Sequence, residues 1–113
     1  RRTVRSSCYT TDLDFIEYRI ENGIVKPIAI IETTRMDSRG MISDDTLEQV
    51  RYRIEDRDAQ GKFLRCIATM LGVPVFIVVF RFDLRDFWLY DLGEGVGWFH
   101  LDQPGYARFL RSL

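Results

Sequence analysis

The sequence predicts an α/β fold with a mixed central β-sheet flanked by helices. Three observations predict it. Residues 27–31 and 75–80 are almost wholly apolar and rich in β-branched side chains, so both ask for strands covered on two faces. Asn22-Gly23, just before the first of them, is the strongest short signal for a hairpin. Between the two runs lies a stretch of helical periodicity, the kind of segment that carries a chain across a sheet.

The elements follow in order. Residues 1–11 are polar and read as irregular. Residues 13–20 mix aromatic and β-branched side chains and read as a first strand. After Asn22-Gly23, residues 24–34 form the return strand. Pro27 cannot donate to a ladder, so it belongs near that strand's beginning. Residues 36–43 read as a loop. Ser43 or Asp44 can cap a helix in which Leu47, Val50 and Ile54 fall at helical spacing, and Glu48 can pair with Arg51 outside. A second helical stretch runs from about Ala59 to Leu71, with Leu64, Ile67, Ala68 and Leu71 on one face and Cys66 read as a small core residue. The pattern fits one kinked helix or two. Gly72 and Pro74 end it. Residues 75–80 are the clearest strand, and residues 86–92 are the next, joined by a turn around Leu84. Gly93, Gly95 and Gly97 read as a turn, since no phosphate-loop lysine follows them. A short strand at 98–101 comes next, with His100 as a structural strand residue. Asp102 then caps a last helix that tolerates Pro104 in its first turn and faces Tyr106, Phe109 and Leu110 inward. Trp88, Tyr90, Trp98 and Phe99 read as core aromatics rather than base-stacking platforms.

The 113 residues make one domain, 1–113. The first residue is Arg1, so the chain reads as a piece of a longer one. With 46% hydrophobic and 29% charged residues, disorder is excluded. A net charge of −1 excludes a uniformly basic binder but not a local basic groove. Lys26 and Lys62 are the lysines; the rest of the 16 basic residues are arginine. Arg1, Arg2 and Arg5 could form a phosphate-binding arm, and Arg35, Arg39, Arg51, Arg53 and Arg57 could line a groove, although helix acids interleave with them. No apolar run approaches the ~18–20 residues that span a bilayer, so no membrane partner is expected. Cys8 and Cys66 make neither a metal pair nor a disulfide framework, which sets a cytoplasmic or nucleoid-associated expectation.

Asp14 lies near the start of the first strand and Glu32 late in the second. A hairpin sets strand starts beside strand ends, so the two carboxylates converge. Without a cation one of them must be protonated. Mg²⁺ (or Mn²⁺) is the natural occupant, because it binds through one or two carboxylates plus substrate phosphate. Thr34, two residues after Glu32, shares its face. Glu17 has the opposite parity to Asp14, and Asp12 reads as a turn or edge residue.

Residues 9–19 and 30–35, with Asp14, Glu32, Thr33 and Thr34, resemble the PD-(D/E)xK nuclease superfamily: an acid, a hairpin, then acid-x-lysine on the second strand. The helix before Gly72 and strand 75–78 extend the resemblance, and Gln60 matches a helix glutamine of some members. It spans roughly residues 9–92. The resemblance implies a restriction-endonuclease-like fold and a Mg²⁺-dependent DNA endonuclease (a hydrolase of phosphodiester bonds, with no organic cofactor). It also implies that Asp14, Glu32 and the Thr33 carbonyl hold the metal. Two departures stand out: Thr34 occupies the lysine position, and few residues precede Asp14 to form the usual first helix.

A threonine carries no charge to offset an anionic transition state. Lys26 is about 20 Å from Glu32 along an extended strand. Arg35 has the wrong parity. Lys62, beside Gln60, is the expected substitute. The alternative is a catalytically inactive domain of the same fold that binds nucleic acid or protein. A homodimer is a further expectation, through the sheet edge or the arginine-rich helix, and would set two sites on opposite DNA strands.

Overall fold

The computed structural model describes residues 14–37, 42–57 and 59–113. Five strands lie side by side in chain order: β1 (Phe15–Glu21), β2 (Ile24–Met36), β3 (Val75–Arg81), β4 (Asp86–Asp91) and β5 (Trp98–Asp102). Only β2 and β3 run parallel; the other neighbours are antiparallel. The parallel step needs a crossover, supplied by α1 (Asp44–Tyr52), a π-helical turn (Arg53–Arg57) and α2 (Gln60–Leu71). Helix α3 (Gln103–Ser112) closes the chain. This is the mixed sheet with flanking helices that the sequence predicts.

The β1–β2 hairpin turns at Asn22 and Gly23, with φ of 53° and 78°, the left-handed pair that a tight type I′ turn demands. Pro27 stands opposite Tyr18, but Glu17 stands opposite Ala29. Ile28 is thus an extra residue, a bulge placed beside the residue that lacks a donor.

The sheet is covered on both sides, which explains the unbroken apolarity of β3. On one face Ile30, Ile77, Val79 and Tyr90 pack against Leu47, Val50, Ile54 and Leu64 of the crossover. On the other, Ala29, Ile31, Phe76 and Val78 meet Tyr106 and Phe109 of α3. The Tyr106 ring stacks on Phe87 at 4.3 Å.

The caps fall where the sequence places them. Ser43 accepts from the Thr46 N–H and Asp102 from the Gly105 N–H. Gly72 ends α2 at φ 68°. The crossover is two helices rather than one, because the chain widens into a π-helical turn after α1 and restarts at Gln60. Gly61 permits the restart: a Cβ there would lie 2.6 Å from the Ile54 carbonyl oxygen.

Three core expectations need correction. Cys66 is exposed, because it lies about 200° around the helix from both Leu64 and Ala68. Leu71, the last residue of α2, and Phe99, on β5, are exposed as well. Trp88, Tyr90 and Trp98 do pack into the core. His100 contacts Asp86 at 2.8 Å and the Trp88 ring. The expectations for Arg1, Arg2, Arg5, Cys8, Asp12 and Arg39 lie outside the described residues. Among the described residues no helix is long and apolar enough to cross a membrane.

Candidate functional site

Strand β2 builds the site as it leaves the core. Ile30 N–H donates to the Pro74 carbonyl, and Phe82 N–H to the Met36 carbonyl. Even-numbered residues of this half of β2 therefore aim their peptide groups at β3. The odd-numbered Thr33 aims its N–H and C=O the other way. β1 begins only at Phe15, opposite Ile31. Beyond that pair, β2 is flanked by β3 alone among the described strands.

Asp14 occupies this opening, one step beyond the Phe15–Ile31 pair and thus level with Glu32. Its Oδ2 accepts from the Thr33 N–H at 2.9 Å and from the Thr33 hydroxyl at 3.0 Å. The edge that β1 no longer covers is thereby closed by a carboxylate.

Glu32 faces the crossover. It is 7% exposed, the only buried charged side chain among the described residues. A carboxylate there is costly unless it is hydrogen-bonded. Gln60, the first residue of α2, donates its side-chain N–H to Glu32 Oε2 at 2.5 Å. Thr34, on the same face, accepts from Arg53 Nη2 at 3.5 Å, the long limit of a hydrogen bond.

The expected substitute cation is therefore not where the sequence reading puts it. Lys62 is exposed and lies about 200° around α2 from Gln60, so the helix turns it away from Glu32. Arg35 is exposed and pairs with Asp37 at 2.8 Å. Lys26 sits near Glu21 at the hairpin tip, 3.7 Å away. Arg53 reaches the Glu32–Thr34 face, at the Thr34 hydroxyl. Sequence reasoning places it only among groove arginines, since no residue pattern announces a π-helical turn and the change of phase it brings.

An ionic cluster anchors that turn. Glu55 accepts from Arg51 Nη1 at 2.8 Å and also from Arg65, whose guanidinium reaches the Leu92 carbonyl. Glu55 and Glu48 push the Arg51 guanidinium further toward its charged form. Burial, then the charge of Glu55, pushes the Tyr90 phenol up. An open depression of about 830 Å³ runs from here past Met36, Arg53 and Arg57.

The donor set suits a hard cation. Among the described residues no three His, Cys, Asp or Glu side chains gather around one point. Mg²⁺ does not require them: one or two carboxylates suffice, with water and phosphate completing the shell. Asp14 Oδ1, the Glu32 carboxylate and the Thr33 carbonyl are of that kind.

Compared with protein-family models, with curated proteins and with solved structures, the chain gives no match.

Proposed function

We propose that the protein is a metal-dependent DNA endonuclease of restriction-endonuclease-like fold. The observation that carries this reading is the buried Glu32, level with Asp14 at a strand opening and bonded to Gln60 from 28 positions away. A buried acid held by a helix glutamine beside a second acid has a poor account as a packing feature. The same residues carry the resemblance in the sequence.

Asp14, Glu32 and the Thr33 carbonyl would hold Mg²⁺ or Mn²⁺. When bound, the ion supplies Lewis-acid stabilisation of phosphate and acidifies coordinated water. The chain's own groups do the rest. Gln60 fixes the Glu32 carboxylate in one orientation. The Thr33 N–H and hydroxyl do the same for Asp14. Arg53 places a permanent positive charge beside Thr34, where it offsets anionic charge on a phosphate but accepts no proton. The Thr34 hydroxyl, accepting from Arg53, keeps its own O–H to donate.

The test is nicking of supercoiled plasmid with Mg²⁺ or Mn²⁺. Cleavage that EDTA abolishes supports the reading; cleavage that survives EDTA sinks it. A second reading, a non-catalytic binding domain of the same fold, is favoured by the uncharged Thr34. DNA binding without nicking in either metal, and without calorimetric heat from Mn²⁺, would select it.

A further inference from the structure

Among the described strands β1 lies at the edge of the sheet, and its surface is unusual. Tyr18 is 61% exposed, Ile20 64% and, across the hairpin, Val25 62%. A long apolar edge is a template for another strand, and monomeric proteins generally blunt such edges. Three charges lie on β1: Glu17 and Arg19, of opposite sign, flank Tyr18 symmetrically, and Glu21 ends the strand.

Arg19 and Glu21 flank Ile20 in the same way, but Tyr18 is the midpoint of the strand, so only pairing about Tyr18 uses all 7 of its residues. We infer that a second copy of this chain pairs β1 to β1, antiparallel, with the two-fold axis at Tyr18. In this register Glu17 faces Arg19 of the other copy, and the reciprocal pair repeats it. Ile16 faces Ile20, also twice, and Tyr18 faces Tyr18. Residues directly opposite share a face, so the Glu17–Arg19 pairs lie on the α3 side, with Phe15 facing Glu21 at each end, and Ile16, Tyr18 and Ile20 meet on the crossover side. The neighbouring two-fold registers fail. Centring on Glu17 opposes two glutamates, and centring on Arg19 opposes two arginines. Glu17 already lies close enough to α3 to push the Tyr106 phenol up, and Arg19 donates to the Arg111 carbonyl. Both side chains are thus held on the face where the exchange occurs. The result is a continuous ten-stranded sheet in which the free edges of the two β1 strands are paired with each other.

The inference stands apart from catalysis and is tested by mass. Sedimentation of the wild-type protein at two widely separated concentrations is expected to give a dimer that dissociates on dilution. Arg19→Glu alone leaves Glu17 facing a glutamate, and Glu17→Arg alone leaves Arg19 facing an arginine. Each variant is expected to be a monomer with a near-wild-type circular dichroism spectrum. Mixed in equal amounts they become complementary, and the mass should double. A wild-type chain that is monomeric at both concentrations overturns the inference, as do folded single variants that stay monomeric on mixing. If either single variant is unfolded, the doubly reversed E17R/R19E chain decides: dimeric supports the inference, monomeric overturns it.

Discussion

The Arg53 guanidinium stands 3.5 Å from the Thr34 hydroxyl. The position on β2 that carries no charge of its own is thus supplied with one from the π-helical turn. Removing a preorganised cation from a phosphate site costs on the order of 10²–10³ in rate. Arg53→Ala should lose plasmid nicking by about that factor, and Thr34→Lys in the same chain should recover much of it. Nicking by Arg53→Ala at the wild-type rate would remove Arg53 from the mechanism.

Asp14 and Glu32 should matter to chemistry far more than to folding. Asp14→Ala and Glu32→Ala should each reduce nicking to the level seen in EDTA and erase the calorimetric heat of Mn²⁺ binding. Both variants should stay folded, because neither side chain belongs to the apolar core. Undiminished Mn²⁺ binding by both variants would show that these carboxylates are not the ligands.

Gln60 has a structural share as well. Gln60→Leu keeps the volume but leaves the buried Glu32 without this donor. Hydrogen bonds to charged groups contribute about 1.5–3 kcal/mol, and a loss in that range should appear in the denaturant midpoint. In a Glu32→Gln background the same substitution should cost less. Equal costs in both backgrounds would mean that the contact is not what Gln60 contributes.

Gly61→Ala tests the restart of α2. The added methyl would lie 2.6 Å from the Ile54 carbonyl oxygen and 3.0 Å from the Glu55 Cα, both backbone atoms. Overpacking of this kind costs about 1–3 kcal/mol, readable as a lowered midpoint in guanidinium. Nicking should fall too, since Gln60 and Arg53 flank the displaced segment. An unchanged midpoint would mean that the two helices separate freely.

Stability should also depend on pH at the alkaline end. Tyr90 and Tyr106 are both pushed up, chiefly by burial, with Glu55 and Glu17 adding to it. The folded chain therefore keeps protons that the unfolded chain releases near pH 10. The linked stability is complete below that value and falls as pH rises through the folded-state values. Thermal melts should show the decline setting in near pH 10, with a smaller slope for Tyr90→Phe. A stability that rises across this range would contradict the burial of both phenols.

Much of this was legible in the residues. Asn22-Gly23 announced its turn, Ser43 and Asp102 announced their caps, and the two apolar runs announced strands covered on both sides. Glu32 was legible because an acid after an apolar strand is chemically expensive wherever it occurs, and Asp14 because a hairpin sets strand starts beside strand ends; Gln60 came only with the resemblance. Arg53 was only one of several arginines, because hydrophobic spacing of 3.6 does not report the wider turn that re-aims it. Cys66 differs from the expectation for a simpler reason: it is close to Leu64 and Ala68 in sequence but not on the helix, where two residues are about 200°. The sheet edge was legible as a candidate interface, but not the exposure of the hairpin's apolar side chains, because a strand pattern does not say how far beyond the helical layer the strand extends.

Pro27 has an effect far from its own position. At the hairpin tip, paired residues have numbers that sum to 45, as in Glu21 with Ile24 and Tyr18 with Pro27; past Ile28 they sum to 46, as in Glu17 with Ala29. Carried to the open end, the first count would set Asp14 abreast of Ile31, an apolar core residue. The second sets it abreast of Glu32. The alignment of the two acids is therefore a matter of arithmetic, decided by one surplus residue half a strand away. Deleting Ile28 would leave both carboxylates in the chain and take them out of step.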